Sequence, residues 1–304
     1  MLDLATLAAL HEKYRAAASV PVADFALGPH RFDFSARSYL MGVVNLSPDS
    51  WYRESVALST EAAVRRGRVL HGQGAAIIDV GAESTLTRAA RVEGAAQTGA
   101  LVPVVRELAA AGLCVSVETY DPGVTTACLK AGARVLNLTG TENSEDIFRE
   151  VANFDAGVII CFVQGANVRD VSDLDLGRDP VGAMYEFFAL QIEAATQAGV
   201  SRIWLDPGLG FYYRNLQDSG ARVRHQMQVF LNSFRLRPLG WPICQALPHA
   251  FECFEEEVRV AEPFFAVLAL LGQAGLLRTH EVAKVRGVLR ALELSRDAGD
   301  ILPA

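Results

Sequence analysis

No stretch of this 304-residue chain is apolar for long enough to span a bilayer. The longest candidate, AVLALLGQAGLL at 266–277, is short and broken by glycine. A secretory leader is also missing from the first residues. MLDLATLAALHEKYRAAA has no basic start, and its charges interrupt the apolar positions. These features predict a cytoplasmic protein without a membrane partner. Basic clusters are lacking too. The net charge is -7, which argues against nucleic acid as a partner. Five cysteines are present (114, 128, 161, 244 and 253), with no C-x-x-C pair among them, and three lie in apolar runs. Buried, reduced thiols are the expectation rather than disulfides or a metal knuckle. No G-x-G-x-x-G follows an apolar run, so a dinucleotide fold has no support.

The chain does contain a repeated alternation. Short β-branched runs occur at 39–45, 75–81, 113–119, 133–139, 156–163, 201–206, 241–247 and 276–280. Helical patterns separate them, at roughly 60–73, 93–111, 122–131, 144–152, 180–198, 215–234, 255–272 and 281–296. The strands read as continuous apolar runs, as strands covered on both faces do. Eight strands and eight helices predict an α/β chain of the (β/α)8, or TIM, barrel class, with a doubly wound open sheet as the alternative. Residues 1–38 form an N-terminal extension, a helix plus a hairpin or irregular cover at the barrel bottom. Residues 39–304 form the barrel. The polar stretches 164–180 and 210–224 are expected as long loops.

Active sites of such barrels lie at the C-terminal strand ends. The polar residues there are Asn45, Asp49, Asp79, Ser84, Thr85, Glu118, Asn137, Gln164, Asp206, Gln245, His249, Arg278 and His280. Asp79, Glu118, Asn137 and Asp206 offer acceptors and an amide to a flat heterocycle with several N–H donors. Asn45, Ser84, Thr85, Arg278 and His280 suit an anion. Taken singly, each has a plainer reading as a turn former, a cap or a surface ion pair. The case rests on their spread over successive strands. In DPGLGF at 206–211, the glycines predict a sharp turn with close backbone approach. An unrelated phosphate-binding barrel is the remaining alternative on these residues.

Six segments, in order, resemble dihydropteroate synthase, the pterin-binding barrel enzyme of folate synthesis. They are MGVVNLSPDSW (41–51), GAAIIDVGAEST (74–85), VSVETY (115–120), AGARVLN (131–137), DPGLGF (206–211) and RTHEV (278–282). The resemblance implies a transferase that joins a pterin methyl pyrophosphate to p-aminobenzoate and releases pyrophosphate. It implies that Asp79, Glu118, Asn137, Asp206 and Gly210 meet the pterin. Asn45 would touch the pyrophosphate or its Mg2+, Arg278 and His280 would hold the pyrophosphate, and Asp49 and Thr85 would close over the site with Ser84. A homodimer through barrel helices is implied as well, and the apolar 255–272 segment is the candidate surface.

The departures from the family pattern cluster. Glu118 replaces the usual Asp, and Leu86 stands at the arginine of S-T-R-P, with Arg88 two residues on as a substitute. Tyr212 and Tyr213 replace Gly-Lys. ALPHAF (246–251) stands where the family has S-R-K-S, leaving His249 as the candidate in place of the lysine. A pterin- or folate-binding paralogue without synthase activity, or one acting on a different amine or one-carbon carrier, is therefore the alternative function.

Overall fold

The computed structural model describes residues 2–50, 52–84, 89, 91–170, 173–175, 177–211, 213–216 and 218–294. The extension comprises α1 (Leu4–Lys13), α2 (Arg15–Ala18) and a hairpin of β1 (Phe25–Leu27) with β2 (His30–Phe32). Eight parallel strands follow: β3 (Tyr39–Asn45), β4 (Ile77–Gly81), β5 (Val115–Thr119), β6 (Val135–Leu138), β7 (Gly157–Cys161), β8 (Ile203–Asp206), β9 (Cys244–Ala246) and β10 (Leu276–Thr279). They hydrogen-bond in the order β8-β7-β6-β5-β4-β3-β10-β9. A parallel bridge between Leu205 and Ile243 joins the two ends. The chain is a (β/α)8 barrel, as the alternation predicts, and not an open doubly wound sheet.

The covering helices are α3 (Thr60–Gln73), α4 (Gly94–Ala110), α5 (Pro122–Ala131), α6 (Ser144–Asn153), α7 (Pro180–Gln197) and α8 (Ser219–Asn232), then the short α9 (Phe251–Phe254), α10 (Ala261–Leu271) and α11 (Val282–Glu293). Local chemistry sets several starts. The carboxylates of Asp121, Asp179 and Asp218 accept from the backbone N–H three residues on, and Pro122 and Pro180 open their helices. The Asp218 cap explains why α8 begins at Ser219 and not at 215. Similarly, residues 255–260 form a separate 3-10 segment before α10.

Strand periodicity sorts the interior into layers. Met41, Ile77, Val135, Ile159, Trp204 and Leu276 form one apolar cluster inside the barrel. Two residues on come Val43, Asp79, Asn137, Cys161, Asp206 and Arg278, so polar groups fall in the next layer towards the C-terminal ends. The same alternation puts Gln245 on the outer face, one residue after the interior Cys244. Although a strand-end residue, Gln245 therefore does not face the mouth. Nor does Gln164, whose amide exchanges hydrogen bonds with the backbone of Asp175.

The bottom is closed by the hairpin rather than by irregular chain. Phe25 pairs with Phe32 across it, and Gly28 turns it at φ +57°. Phe25, Phe32 and Phe34 meet the Trp204 ring edge-on, with centroids 4.6, 5.7 and 6.3 Å away. Arg202 donates to the carbonyl of Ala26 and pairs with Asp155 at 2.5 Å, tying the plug to the barrel.

Candidate active site

One cavity opens at the C-terminal ends of the strands. Its walls include Asn45, Tyr52, Glu83, Ser84, Glu118, Asn137, Asp206, Gly210, Arg222, His249, Arg278 and His280. Asp79 lies beneath, fully buried. The structure thus brings together most of the residues singled out by sequence. Asp49 is exposed on the first loop, and its carbonyl accepts from Ser84 Oγ at 3.2 Å. Thr85 and Arg88 lie outside the described residues.

The floor is a connected polar layer. Asp79 Oδ2 accepts from Asn137 Nδ2 at 3.1 Å and from Arg278 Nε at 2.8 Å. Arg278 Nη2 donates to Glu118 Oε2. Asn137 Oδ1 accepts from the Cys161 thiol at 3.3 Å. The Arg278 guanidinium is thus turned onto carboxylates of the floor. Asp206 Oδ1 accepts from the Gly208 N–H at 2.8 Å. Gly208 sits at φ +73°, and a Cβ there would lie 2.3 Å from the carbonyl oxygen of Phe162. Only glycine allows this turn. Gly210 differs, since a Cβ on it would meet Ala246 Cβ at an ordinary 3.7 Å.

Towards the mouth the first two loops are pinned. Asn45 Nδ2 donates to Ser50 Oγ at 2.8 Å and Ser55 Oγ at 2.6 Å. The buried Arg169 donates at 2.6 Å to the carbonyls of both Ser84 and Ala89, holding the loop after β4. Around the rim, Tyr52 stacks on His249, with centroids 4.9 Å apart, and donates its hydroxyl to Glu281. His280 Nδ1 lies 2.9 Å and His249 Nε2 3.1 Å from Glu262 Oε1. The backbone beside His249 is strained, with Ala250 at φ +44°.

The sequence pattern of the family described as "Pterin binding enzyme" matches residues 41–242. The chain belongs to this family. A folate synthesis bifunctional protein of Arabidopsis thaliana is 32% identical over 197 residues, which span 61% of this chain and 40% of that protein's length. A dihydropteroate synthase of Synechocystis is 29% identical over 222 residues, 71% of this chain and 73% of the relative. Among solved structures, the dihydropteroate synthase of Xanthomonas albilineans with 4-aminobenzoic acid superposes with TM-score 0.76 at 26% identity, covering 91% of this chain and 99% of that one. The same enzyme with 7,8-dihydropteroate gives 0.74 at 25% identity, covering 91% and 100%.

Electrostatics separate the two levels of the site. Burial pushes the Glu118 carboxyl up to about 7, with Arg278 opposing and Asp79 and Asp206 reinforcing. Burial likewise pushes Asp206 up to about 6, against the Gly208 hydrogen bond and Arg278. Burial works against the Arg278 charge, but the carboxylates around it win and hold the guanidinium firmly protonated. At the rim, burial alone would raise the Glu262 carboxyl; the two imidazoles beside it keep it well below the usual carboxylate range. Burial brings His280 down to about 4, so it is a neutral imidazole at pH 7 that donates Nδ1–H to Glu262.

Sequence reasoning missed Tyr52, Glu262, Glu281 and Arg222. Tyr52 adjoins a quoted motif, and Glu281 sits inside another, RTHEV. Nothing local distinguishes Glu262, which is one of five glutamates between 252 and 262.

Proposed function

We propose that this chain is a dihydropteroate synthase. It transfers the pterin methylene group of 6-hydroxymethyl-dihydropterin pyrophosphate to the amine of p-aminobenzoate, a step of folate biosynthesis. The C–O bond to pyrophosphate breaks, the C–N bond forms, and the amine loses a proton. The observation that carries this reading is the floor: Glu118, Asn137 and Asp206 face a single cavity, with Asn137 held by Asp79, Glu118 by Arg278 and Asp206 by the Gly208 N–H.

That layer matches the edge of a pterin. Asp206 accepts from the Gly208 N–H through Oδ1 and from the Cys244 thiol, and its remaining acceptor capacity would meet the ring N–H and amino groups. Glu118 sits opposite on the neighbouring side of the cavity. Its longer side chain still reaches Arg278, so the exchange of Asp for Glu does not break the brace. The solved Xanthomonas albilineans enzyme with 7,8-dihydropteroate shares this fold over nearly the whole chain.

Asn45 fits the Mg2+ that the family implies. Its amide N–H groups are both given to serines, leaving the carbonyl oxygen as a hard ligand beside the cavity. Mg2+ held there would take its remaining ligands from water and pyrophosphate, and would offset charge on the leaving group. The chain's own residues orient the pterin and exclude water from the reacting carbon, with Tyr52, Leu247 and Pro248 closing the walls.

A second reading is favoured by the rim. Leu247, Pro248 and His249 line the cavity at the stretch where the family pattern carries an Arg and a Lys, and Glu262 stands beside His280. This supports a pterin or folate binder that turns over another amine, or none. Calorimetric titration separates the two. Pterin pyrophosphate with Mg2+ is added first, then p-aminobenzoate. Pyrophosphate release that needs all three supports the synthase; binding of pterin with no release on adding p-aminobenzoate overturns it.

We assign the protein to the cytoplasm. Five free cysteines and the lack, among described residues, of any helix fit to cross a membrane are consistent with this. A homodimer is proposed through α10 and the segment before it. Val260, Phe264, Val267 and Leu271 form an exposed apolar stripe at helical spacing, between 36 and 53% exposed.

A further inference from the structure

The rim holds an arrangement that the reaction above does not use. Glu262, near the start of α10, is wholly buried. Its Oε2 is anchored by the protein: it accepts from Thr279 Oγ1, from the His280 N–H at 3.0 Å and from the Glu281 N–H at 3.1 Å. Its Oε1 is presented to two imidazoles, His280 Nδ1 at 2.9 Å and His249 Nε2 at 3.1 Å. The latter nitrogen is buried, and no hydrogen bond of good geometry satisfies it. The three donor atoms lie within 4.8 Å of one another.

We propose that His249, Glu262 and His280 form a site for a divalent transition-metal ion, with Zn2+ as the first candidate. Four observations converge on it. Two imidazole nitrogens and one carboxylate oxygen are a donor set that Zn2+ and its neighbours take, and one foreign to Mg2+ or Ca2+. Tetrahedral bonds of about 2.0–2.2 Å place ligand atoms roughly 3.3–3.6 Å apart, a few tenths of an ångström beyond the two separations from Oε1, 2.9 and 3.1 Å. A ligating carboxylate is normally oriented by hydrogen bonds to its other oxygen, and Thr279 with two backbone N–H groups supplies them. Finally, both imidazoles line the cavity, so further coordination positions face a substrate rather than protein.

The charge balance gives such an ion a task. Glu83, Glu118 and Asp206 line the cavity with Arg222 and Arg278, Glu262 is buried behind the two imidazoles, and the Arg278 guanidinium is already engaged with Asp79 and Glu118. A divalent ion at the rim turns an acidic wall into one that accepts a phosphate or carboxylate oxygen. The site is separate from Asn45 and does not depend on the identity of the transferred group. The competing explanation is that Glu262 serves only as a hydrogen-bond clamp for the two rings.

The test uses the full chain, stripped with a chelator and then titrated with Zn2+ by calorimetry and with Co2+ by visible absorption. One Co2+ per chain is expected, with d–d bands and no thiolate charge-transfer band. His249→Ala, which leaves the anchor of Glu262 untouched, should weaken uptake by roughly 100-fold or more, beyond the about 10–100-fold of losing an outer hydrogen bond. Glu262→Gln should do the same, with circular dichroism confirming that each variant is folded. Asn45→Ala should bind Co2+ as the parent does. Three results overturn the proposal: no stoichiometric uptake by the folded parent, unchanged uptake by folded His249→Ala, or a thiolate spectrum that assigns the ion to the exposed Cys253. None of these readouts uses turnover, so the synthase reading and the metal site stand or fall separately.

Discussion

At the floor of the cavity, Asp79 and Glu118 share one guanidinium, with Asp206 close enough to feel its charge. At the rim, one carboxylate serves two imidazoles and a second holds Tyr52 and Arg259. The floor is short of positive charge, and Glu118 and Asp206 there are pushed up; the rim is rich in donors and Glu262 is pushed down. A proton-sharing floor is suited to a heterocycle whose N–H groups supply the missing donors. An ionised rim is suited to a cation. The two levels are a few residues apart along β10 and its following loop, where Arg278 faces down and His280 faces up.

The largest test of this contrast is Arg278→Ala. Removing the single guanidinium strands two buried carboxylates, and a loss of about 3–5 kcal/mol in denaturant unfolding is expected. A loss below about 1 kcal/mol would mean that the floor does not need its cation. Next, Asp206→Asn should weaken binding of the pterin pyrophosphate by about 1.5–3 kcal/mol in calorimetry, because an amide cannot accept both N–H bonds. Equal affinity would remove Asp206 from the pterin site.

A smaller effect follows from pH. Glu118 and Asp206 hold protons in the folded chain at pH values where the unfolded chain has released them. Their folded pKa values, about 7 and about 6, lie above the unfolded ones. Lowering the pH from about 8 to about 5 should therefore favour the folded ligand-free protein through these two carboxyls, while His280, held at about 4, works in the opposite direction. Pterin affinity should move the other way, since its acceptors are lost. The check is the difference in unfolding free energy between the parent and Glu118→Gln across this range; a difference that does not change with pH would contradict the proton-sharing floor. The smallest change belongs to the rim: Arg259 is half exposed on Glu281, and Arg259→Ala should cost no more than about 1 kcal/mol by thermal unfolding.

Much of this was legible in the sequence, and the failures share one cause. Each barrel strand lies inside its apolar run, and Asn45, Asp79, Asn137 and Asp206 lie at or near the C-terminal ends of their strands. Gln245 and Gln164 look no different from them, because a strand-end position does not reveal parity, and one residue of register turns a side chain to the opposite face. By type Arg278 suits an anion, whereas its direction depends on carboxylates 199 and 160 residues earlier. Glu262 was invisible for a related reason. It matters only because α10 begins beside the end of β10, a proximity that no local pattern encodes.

The aromatic plug carries a consequence for how the chain is made. Phe25, Phe32 and Phe34 leave the ribosome early, yet Trp204 comes some 170 residues later, and Ser38 and Tyr39 bond to Ala274 and Gly275 across 236 residues. At a synthesis rate of about 5–20 residues per second, the hairpin waits roughly 10–50 seconds with its rings uncovered. A segment translated before the barrel strands is thus among the last to find its place, and ring closure at the bottom is the event that ends the exposure. A nascent chain halted before residue 200 should be held by chaperones through this hairpin, while one released after residue 280 should not.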